Sequence, residues 1–214
     1  PYISGLTTYP QKLLPSLAKN HQITILTFQH NGNLPNQATD NNLSIMRMPF
    51  WFKLSKGFIS PQACLYFWRY IQKSDLVILN LPNFEGWLLA LLAKIMQKKT
   101  IAIFHCQVTL PKNIFNKIID FGLNCSLYCQ CILSDKIIGY TQDYAKTTFF
   151  GKKFSQKFTY CLPPITAFQP ERQYFNQLAL KKNEDIWIGF AGRIAQEKGI
   201  EYLIEAIQDS NNPK

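Results

Sequence analysis

At 214 residues with 47% hydrophobic content, the chain can hold one large domain or one and a half ordinary ones around a substantial core, which excludes disorder. Its six cysteines include the close group Cys125-x-x-x-Cys129-x-Cys131, which matches neither a zinc knuckle nor a redox pair, so reduced, mostly buried thiols in a cytosolic protein are expected. The net charge is +10, with the excess lying in residues 1–170; this basic front part points to an anionic partner (a membrane surface, a phosphorylated acceptor or nucleic acid), though a lysine-rich surface without a specific partner fits equally well.

In chain order, residue 1 opens directly on the loop Pro1-Tyr-Ile-Ser-Gly5, and a helical period covers 5–19. Strands are expected at 22–28 and 43–48. Residues 48–58 then interleave aromatics with Lys53 and Lys56, a composition suited to a headgroup interface and equally to a loop packed under the domain. A helix over 61–72, a strand over 75–80 and a helix over 85–97 follow. The apolar stretch 87–96 is broken by Lys94 and falls far below the roughly 20 residues of a spanning helix, so any membrane contact is expected to be peripheral. No signal peptide is visible.

A strand at 100–105 precedes a helix at 111–134, a strand at 136–140, a helix at 142–150 and a strand at 158–162. Lys152, Lys153 and Lys157 form a second basic cluster, read as a solvated face. The runs Leu76-Val-Ile-Leu79 and Ile101-Ala-Ile-Phe104 are apolar throughout, as in parallel strands covered on both faces. Alternating β and α segments of this kind predict an open, doubly wound α/β sheet. Pro163-Pro164 ends the last of these strands, because proline cannot donate a ladder hydrogen bond. A polar, weakly helical linker is expected next, then a new strand at 185–190 and a helix after Gly199. The expected division is 1–165, a linker at 166–184, and the start of a second domain at 185–214. Both ends look cut, and the chain reads as a fragment.

The segment 186–199 carries the clearest chemistry. Gly189 and Gly192 at a strand end let a ligand approach the backbone. Arg193 and Lys198 add two cations at the mouth of the sheet, and a helix start after Gly199 adds N–H groups suited to an anion. That combination fits a diphosphate, and an ordinary βα turn with basic residues fits the spacing as well. The spacing matches neither the dinucleotide fingerprint nor a P-loop.

Gly192-Arg-Ile-Ala-Gln-Glu-Lys-Gly199 resembles the Gly-Arg-x-x-x-x-Lys-Gly segment of family 4 glycosyltransferases. These are retaining enzymes of the GT-B architecture, two Rossmann-like doubly wound parallel-sheet domains, of which the second would be mostly missing here. The resemblance gives Arg193 and Lys198 the donor diphosphate. Ser4-Gly5-Leu-Thr-Thr-Tyr9 is similar to the family's glycine-rich loop, which carries over Gly5 alone as a donor-facing residue. Ile101-Ala-Ile-Phe-His105 is similar to the strand ending in the His near the transferred sugar, which makes His105 the candidate catalytic residue. Asp135-Lys-Ile-Ile-Gly-Tyr-Thr141 resembles a later strand and turn.

Two departures stand out. Pro163-Pro164-Ile165 replaces the family's usual Pro-Asn-Gly, and the family's glutamate pair falls beyond Lys214. The resemblance implies transfer of a sugar from a nucleoside-diphosphate-sugar to a glycan or lipid-linked acceptor, with no cofactor or metal, in cell-envelope polysaccharide synthesis. The first 165 residues would form the acceptor side. It also implies a cytoplasmic enzyme, peripheral at the inner face of the membrane. The absence of any Asp-x-Asp agrees with metal-independent transfer. An epimerase of the same architecture and a nucleic-acid-binding module are the alternatives; no nucleic-acid-binding pattern is visible.

Overall fold

Short runs rich in Ile, Leu and Val form the strands, and longer segments of helical period pack against them. The computed structural model describes residues 5–54, 57–108, 113–165, 171–182, 186–192, 194 and 198–208. The chain divides into two units, Pro1–Thr166 and Ala167–Lys214.

The first unit begins with helix α1 (Gly5–Leu17), then β1 (Ile23–Phe28), β2 (Gln37–Asp40) and β3 (Leu43–Met48). β1 pairs in parallel with β3, Ile23 opposite Leu43 through Phe28 opposite Met48, and β2 pairs antiparallel with β3. A hairpin of β4 (Phe52–Leu54) and β5 (Gly57–Ile59) follows, then α2 (Ala63–Ile71). The rest of the unit alternates strictly: β6 (Leu76–Leu81), α3 (Gly86–Ile95), β7 (Lys99–Phe104), α4 (Ile114–Leu133), β8 (Lys136–Gly139), α5 (Gln142–Thr147), α6 (Phe149–Lys153), a short 3₁₀ turn, and β9 (Phe158–Tyr160). β6, β7, β8 and β9 form a parallel sheet in that order. The unit is therefore α/β, with a four-stranded parallel sheet at its centre.

Two buried clusters hold the sheet to its helices. Leu81, Ala102, Phe104, Leu127, Cys131, Ile137 and Phe150 form one. Phe67, Ile71, Val77, Leu79, Ala90 and Ala93 form the other, with Leu26 of β1 packed against it. Each fully buried Leu, Ile or Phe contributes about 1.5–3 kcal/mol.

β7 is covered on both faces apart from Lys99 and the half-buried Ile101, as its composition predicts. β6 is not: Val77, Leu79 and Leu81 are buried, whereas Leu76 and Ile78 stay 45% and 40% exposed. β6 is an edge of its sheet, so less of the fold packs over its second face.

Other expectations change. The segment 142–150 is two short helices, because Thr148 is extended and its hydroxyl caps α6 by accepting from Gly151 N at 3.0 Å. The segment 48–58, expected as a loop, contains the β4–β5 hairpin. β2 was not expected, because Gln37-Ala-Thr-Asp40 is polar. The thiols are free but not mostly buried. Only Cys131 is buried, Cys64 and Cys129 are half-buried, and Cys106, Cys125 and Cys161 are exposed.

The second unit holds α7 (Arg172–Lys182) and α8 (Ile200–Gln208). The linker region is thus more helical than expected. Residues 186–190 form no strand, contrary to expectation, and all five are exposed. A strand needs a neighbour for its backbone ladder, and among the described residues this unit offers none.

Candidate functional site

The parallel register places the ends of β6, β7 and β8 side by side, Leu81 opposite Phe104 and Phe104 opposite Gly139. Each of these apolar strands finishes on a polar side chain: Asn80 near the end of β6, His105 just after β7 and Tyr140 just after β8. Ligands of open α/β sheets gather at this carboxyl edge.

The His105 ring is bonded on both sides. Its Nε2 lies 3.0 Å from Asn80 Oδ1, and its Nδ1 meets the Tyr140 hydroxyl. Tyr9, buried in the first turns of α1, sets its ring edge-on to the imidazole with centroids 5.0 Å apart, and 5.9 Å from the Tyr140 ring. His105 is only 8% exposed, and burial lowers its pKa to about 4. Burial, with smaller contributions from Tyr9 and Cys106, pushes Tyr140 up to about 12. Burial raises Tyr9 as well, with a further contribution from Cys161.

These shifts fix the protons near neutral pH. Tyr140 keeps its hydroxyl hydrogen and donates it to Nδ1. The imidazole is neutral, and its Nε2–H donates to Asn80 Oδ1. Such a ring can hold or orient a hydroxyl group. It is a poor general acid at neutral pH, because its charged form is scarce.

The loop after β6 is pinned from below. Ser126 Oγ donates to the carbonyls of Asn83 and Phe84 at 3.0 and 2.8 Å. The fully buried Gln130 donates its Nε2 to Asn83 O at 2.8 Å. Glu85 accepts from the backbone N–H of Ser60, and burial raises its pKa. On the other side of His105, the Tyr144 hydroxyl accepts from Gln107 N at 3.0 Å. The strand-end cluster therefore sits on a hydrogen-bonded base.

Gly5 opens α1, four residues before Tyr9, so the helix it begins leads to the His105 ring. Its neighbour Ser4 lies outside the described residues, as does Arg193. Lys198 belongs to the second unit, where it is exposed directly ahead of Gly199 and the first turn of α8. Gly199 takes φ +60, a left-handed conformation that favours glycine, and its carbonyl accepts from Tyr202 N at 3.1 Å. Gly189 and Gly192 are exposed in the same unit.

In the 48–58 segment, Phe50 and Phe58 pack together with centroids 4.7 Å apart and Phe58 reaches Phe28 at 5.7 Å, while Trp51 and Phe52 stay 65% and 51% exposed. Of the second basic cluster, Lys152 and Lys153 are exposed. Lys157 instead turns back onto the carboxyl end of α4, contrary to its reading as a solvated residue.

Sequence reasoning missed Asn80, Tyr140 and Tyr9 as partners of His105. The available signal was a polar residue closing an apolar strand, repeated on three neighbouring strands. Among the described residues, no group of three or more His, Cys, Asp or Glu side chains could hold a metal ion, and no helix is long and apolar enough to cross a membrane. Compared with known proteins, the chain matches no family model and no curated protein.

Proposed function

We propose that the chain serves a retaining, sugar-nucleotide-dependent glycosyltransferase of the GT-B architecture, with residues 1–165 on the acceptor side and 185–214 on the donor side. The observation that carries this reading is the run Gly192 to Gly199, with Lys198 exposed immediately before a helix start. An ammonium beside free N–H groups at a helix N-terminus favours a phosphate group. The departing nucleoside diphosphate gains negative charge as its bond to the sugar breaks, and Arg193 and Lys198 stabilise that charge. With two fixed cations in that role, the transfer needs no metal.

The strand-end cluster of the first unit supports the same reading. A neutral His105, oriented by Tyr140 and Asn80, suits contact with a sugar hydroxyl. In this reading the sugar takes the Nε2–H that Asn80 accepts in the structure, and the acceptor's proton passes to the leaving phosphate. Gly5, which opens α1, is the donor-facing glycine of the first unit in this reading.

The test is a transfer assay. The full-length protein is incubated with a panel of labelled nucleoside-diphosphate-sugars and a membrane lipid extract, with and without EDTA. Labelled glycan or glycolipid, formed equally in both arms and with the donor's anomeric configuration, is expected. Release of an epimerised sugar nucleotide without any acceptor product would replace this reading with epimerisation.

A further inference from the structure

Helix α4 carries two apolar faces, and its own fold covers one of them. Ser126, Leu127, Gln130 and Cys131 point into the core. Along the other side run Ile114, Ile118, Phe121, Cys125, Tyr128 and Ile132, spaced alternately by four and three residues over nearly the whole helix. Ile114, Ile118, Phe121 and Ile132 are 78%, 68%, 73% and 47% exposed, Cys125 is exposed and Tyr128 is half-buried. Alternate fours and threes place one such residue about every 3.5 positions, the period of a coiled-coil seam, where each side chain enters a hole on a facing helix. A seam of this period is covered by another helix lying along α4.

Three features select a second copy of the chain as the source of that helix. The flanking positions Phe115, Lys117, Gly122, Asn124 and Cys129 include a single charge, Lys117, so two such seams meet without rows of opposed lysines. At roughly 200 Å² for a large side chain, the exposed parts of Phe115 and the three isoleucines and Phe121 of the seam amount to about 650 Å² per copy, or about 1,300 Å² for a pair, the size of a stable interface. Tyr128 packs against Phe149 and Phe154 with ring centroids 6.4 and 5.4 Å away, and a groove of about 440 Å³ is bordered by Phe121, Tyr128 and Phe149. That groove lies on the seam, where side chains of a facing helix would enter. A two-fold pairing fills both grooves at once, because the same patch meets itself.

We infer that two copies of the chain associate through α4 about a two-fold axis, burying Ile114, Ile118, Phe121, Cys125 and Ile132 between them. A free helix of this length would be marginal, but α4 is already folded against its own core, so pairing carries no cost of forming it. The inference rests on no part of the sugar-transfer reading, and its readout involves neither nucleotide nor sugar.

The test is sedimentation equilibrium of the full-length protein over a concentration series, with iodoacetamide labelling at both ends of the series. Wild type is expected to pass from monomer to dimer as concentration rises. Cys125 should react about tenfold more slowly in the dimer than in the monomer, because a buried thiol loses access to the reagent, whereas the exposed Cys161 should react alike in both. Ile118→Ser/Phe121→Ser should raise the dissociation constant of the dimer at least about a hundredfold, since two-fold symmetry removes each side chain twice. Leu65→Ser, which removes a similarly exposed apolar side chain from α2, should leave it unchanged within about twofold. All three substituted positions are exposed, and circular dichroism establishes that the variants keep their helix content. A protein still monomeric at about 0.1 mM overturns the inference. So does a dimer that survives the paired serine substitutions, or one in which Cys125 reacts at the rate of the monomer.

Discussion

His105 Nε2 lies 3.0 Å from Asn80 Oδ1, so a side chain near the end of one strand holds the ring that follows the next. With Tyr140 on the other nitrogen and Tyr9 against its face, the imidazole is locked in one tautomer and cut off from water. An ion in that position would lose hydration without gaining a carboxylate partner.

Acid should therefore weaken the fold through His105. Its folded pKa of about 4 lies below the ordinary 6.5, so the unfolded chain takes up the proton first as pH falls. The stabilisation is complete above pH 6.5 and is lost progressively between 6.5 and about 4. At pH 4.5 the loss from this residue amounts to about 2–3 kcal/mol. Urea unfolding of wild type and His105→Gln at pH 7 and pH 4.5 measures it. The wild type should lose about 2–3 kcal/mol more than the variant across that interval. Equal losses would mean that the ring titrates normally in the folded chain.

Gly86 is required by Gln130. A Cβ at position 86 would sit 2.0 Å from Gln130 Oε1 and 2.4 Å from its Cδ. The amide cannot swing away cheaply, because it is fully buried and its Nε2 is bonded to Asn83 O and to Ser126. Gly86→Ala should destabilise the chain by about 1–3 kcal/mol, the cost of overpacking a tight site. A double-mutant cycle with Gln130→Ala tests the cause. The two changes should be strongly non-additive, with the methyl group tolerated once the amide is gone.

Lys157 closes the carboxyl end of α4. Its Nζ donates to the carbonyls of Cys131, Ile132 and Ser134 at 3.1, 2.5 and 2.9 Å. Helix ends leave such carbonyls without partners, and a cation there also opposes the helix dipole. Lys157→Met keeps most of the side-chain length and removes the ammonium. A loss of about 1–2 kcal/mol is expected by thermal or urea unfolding, whereas Lys153→Met on the exposed face should change stability by less than about 0.5 kcal/mol.

The strands of the parallel sheet were legible because burial demands apolar runs, and 101–104 satisfies that demand at every position. The hairpin at 52–59 was not, since aromatic residues mixed with lysines suit a loop as well as a strand. The segment 186–190 misled in the opposite direction: Ile186-Trp-Ile-Gly-Phe190 has a strand's composition, but composition supplies no partner for its backbone. At the site, His105 was legible from its place at a strand end. Its partners were not, because Asn80 and Tyr140 are ordinary residues until the strand register sets them beside it.

The diphosphate assignment can be tested by nucleotide binding alone. If Arg193 and Lys198 hold a pyrophosphate, the full-length protein should bind at least one nucleoside diphosphate much better than the matching monophosphate, because the second phosphate meets its own cation. Charge-assisted hydrogen bonds to phosphate contribute about 1.5–3 kcal/mol each. Arg193→Ala and Lys198→Ala should therefore each weaken diphosphate binding by about tenfold or more in calorimetry. Neither should alter monophosphate binding by as much. Added salt should weaken the wild-type complex and bring it toward the variants. If both single variants bind the diphosphate as wild type does, the run from Gly192 to Gly199 is an ordinary turn with basic residues, and the sugar-transfer reading loses its support.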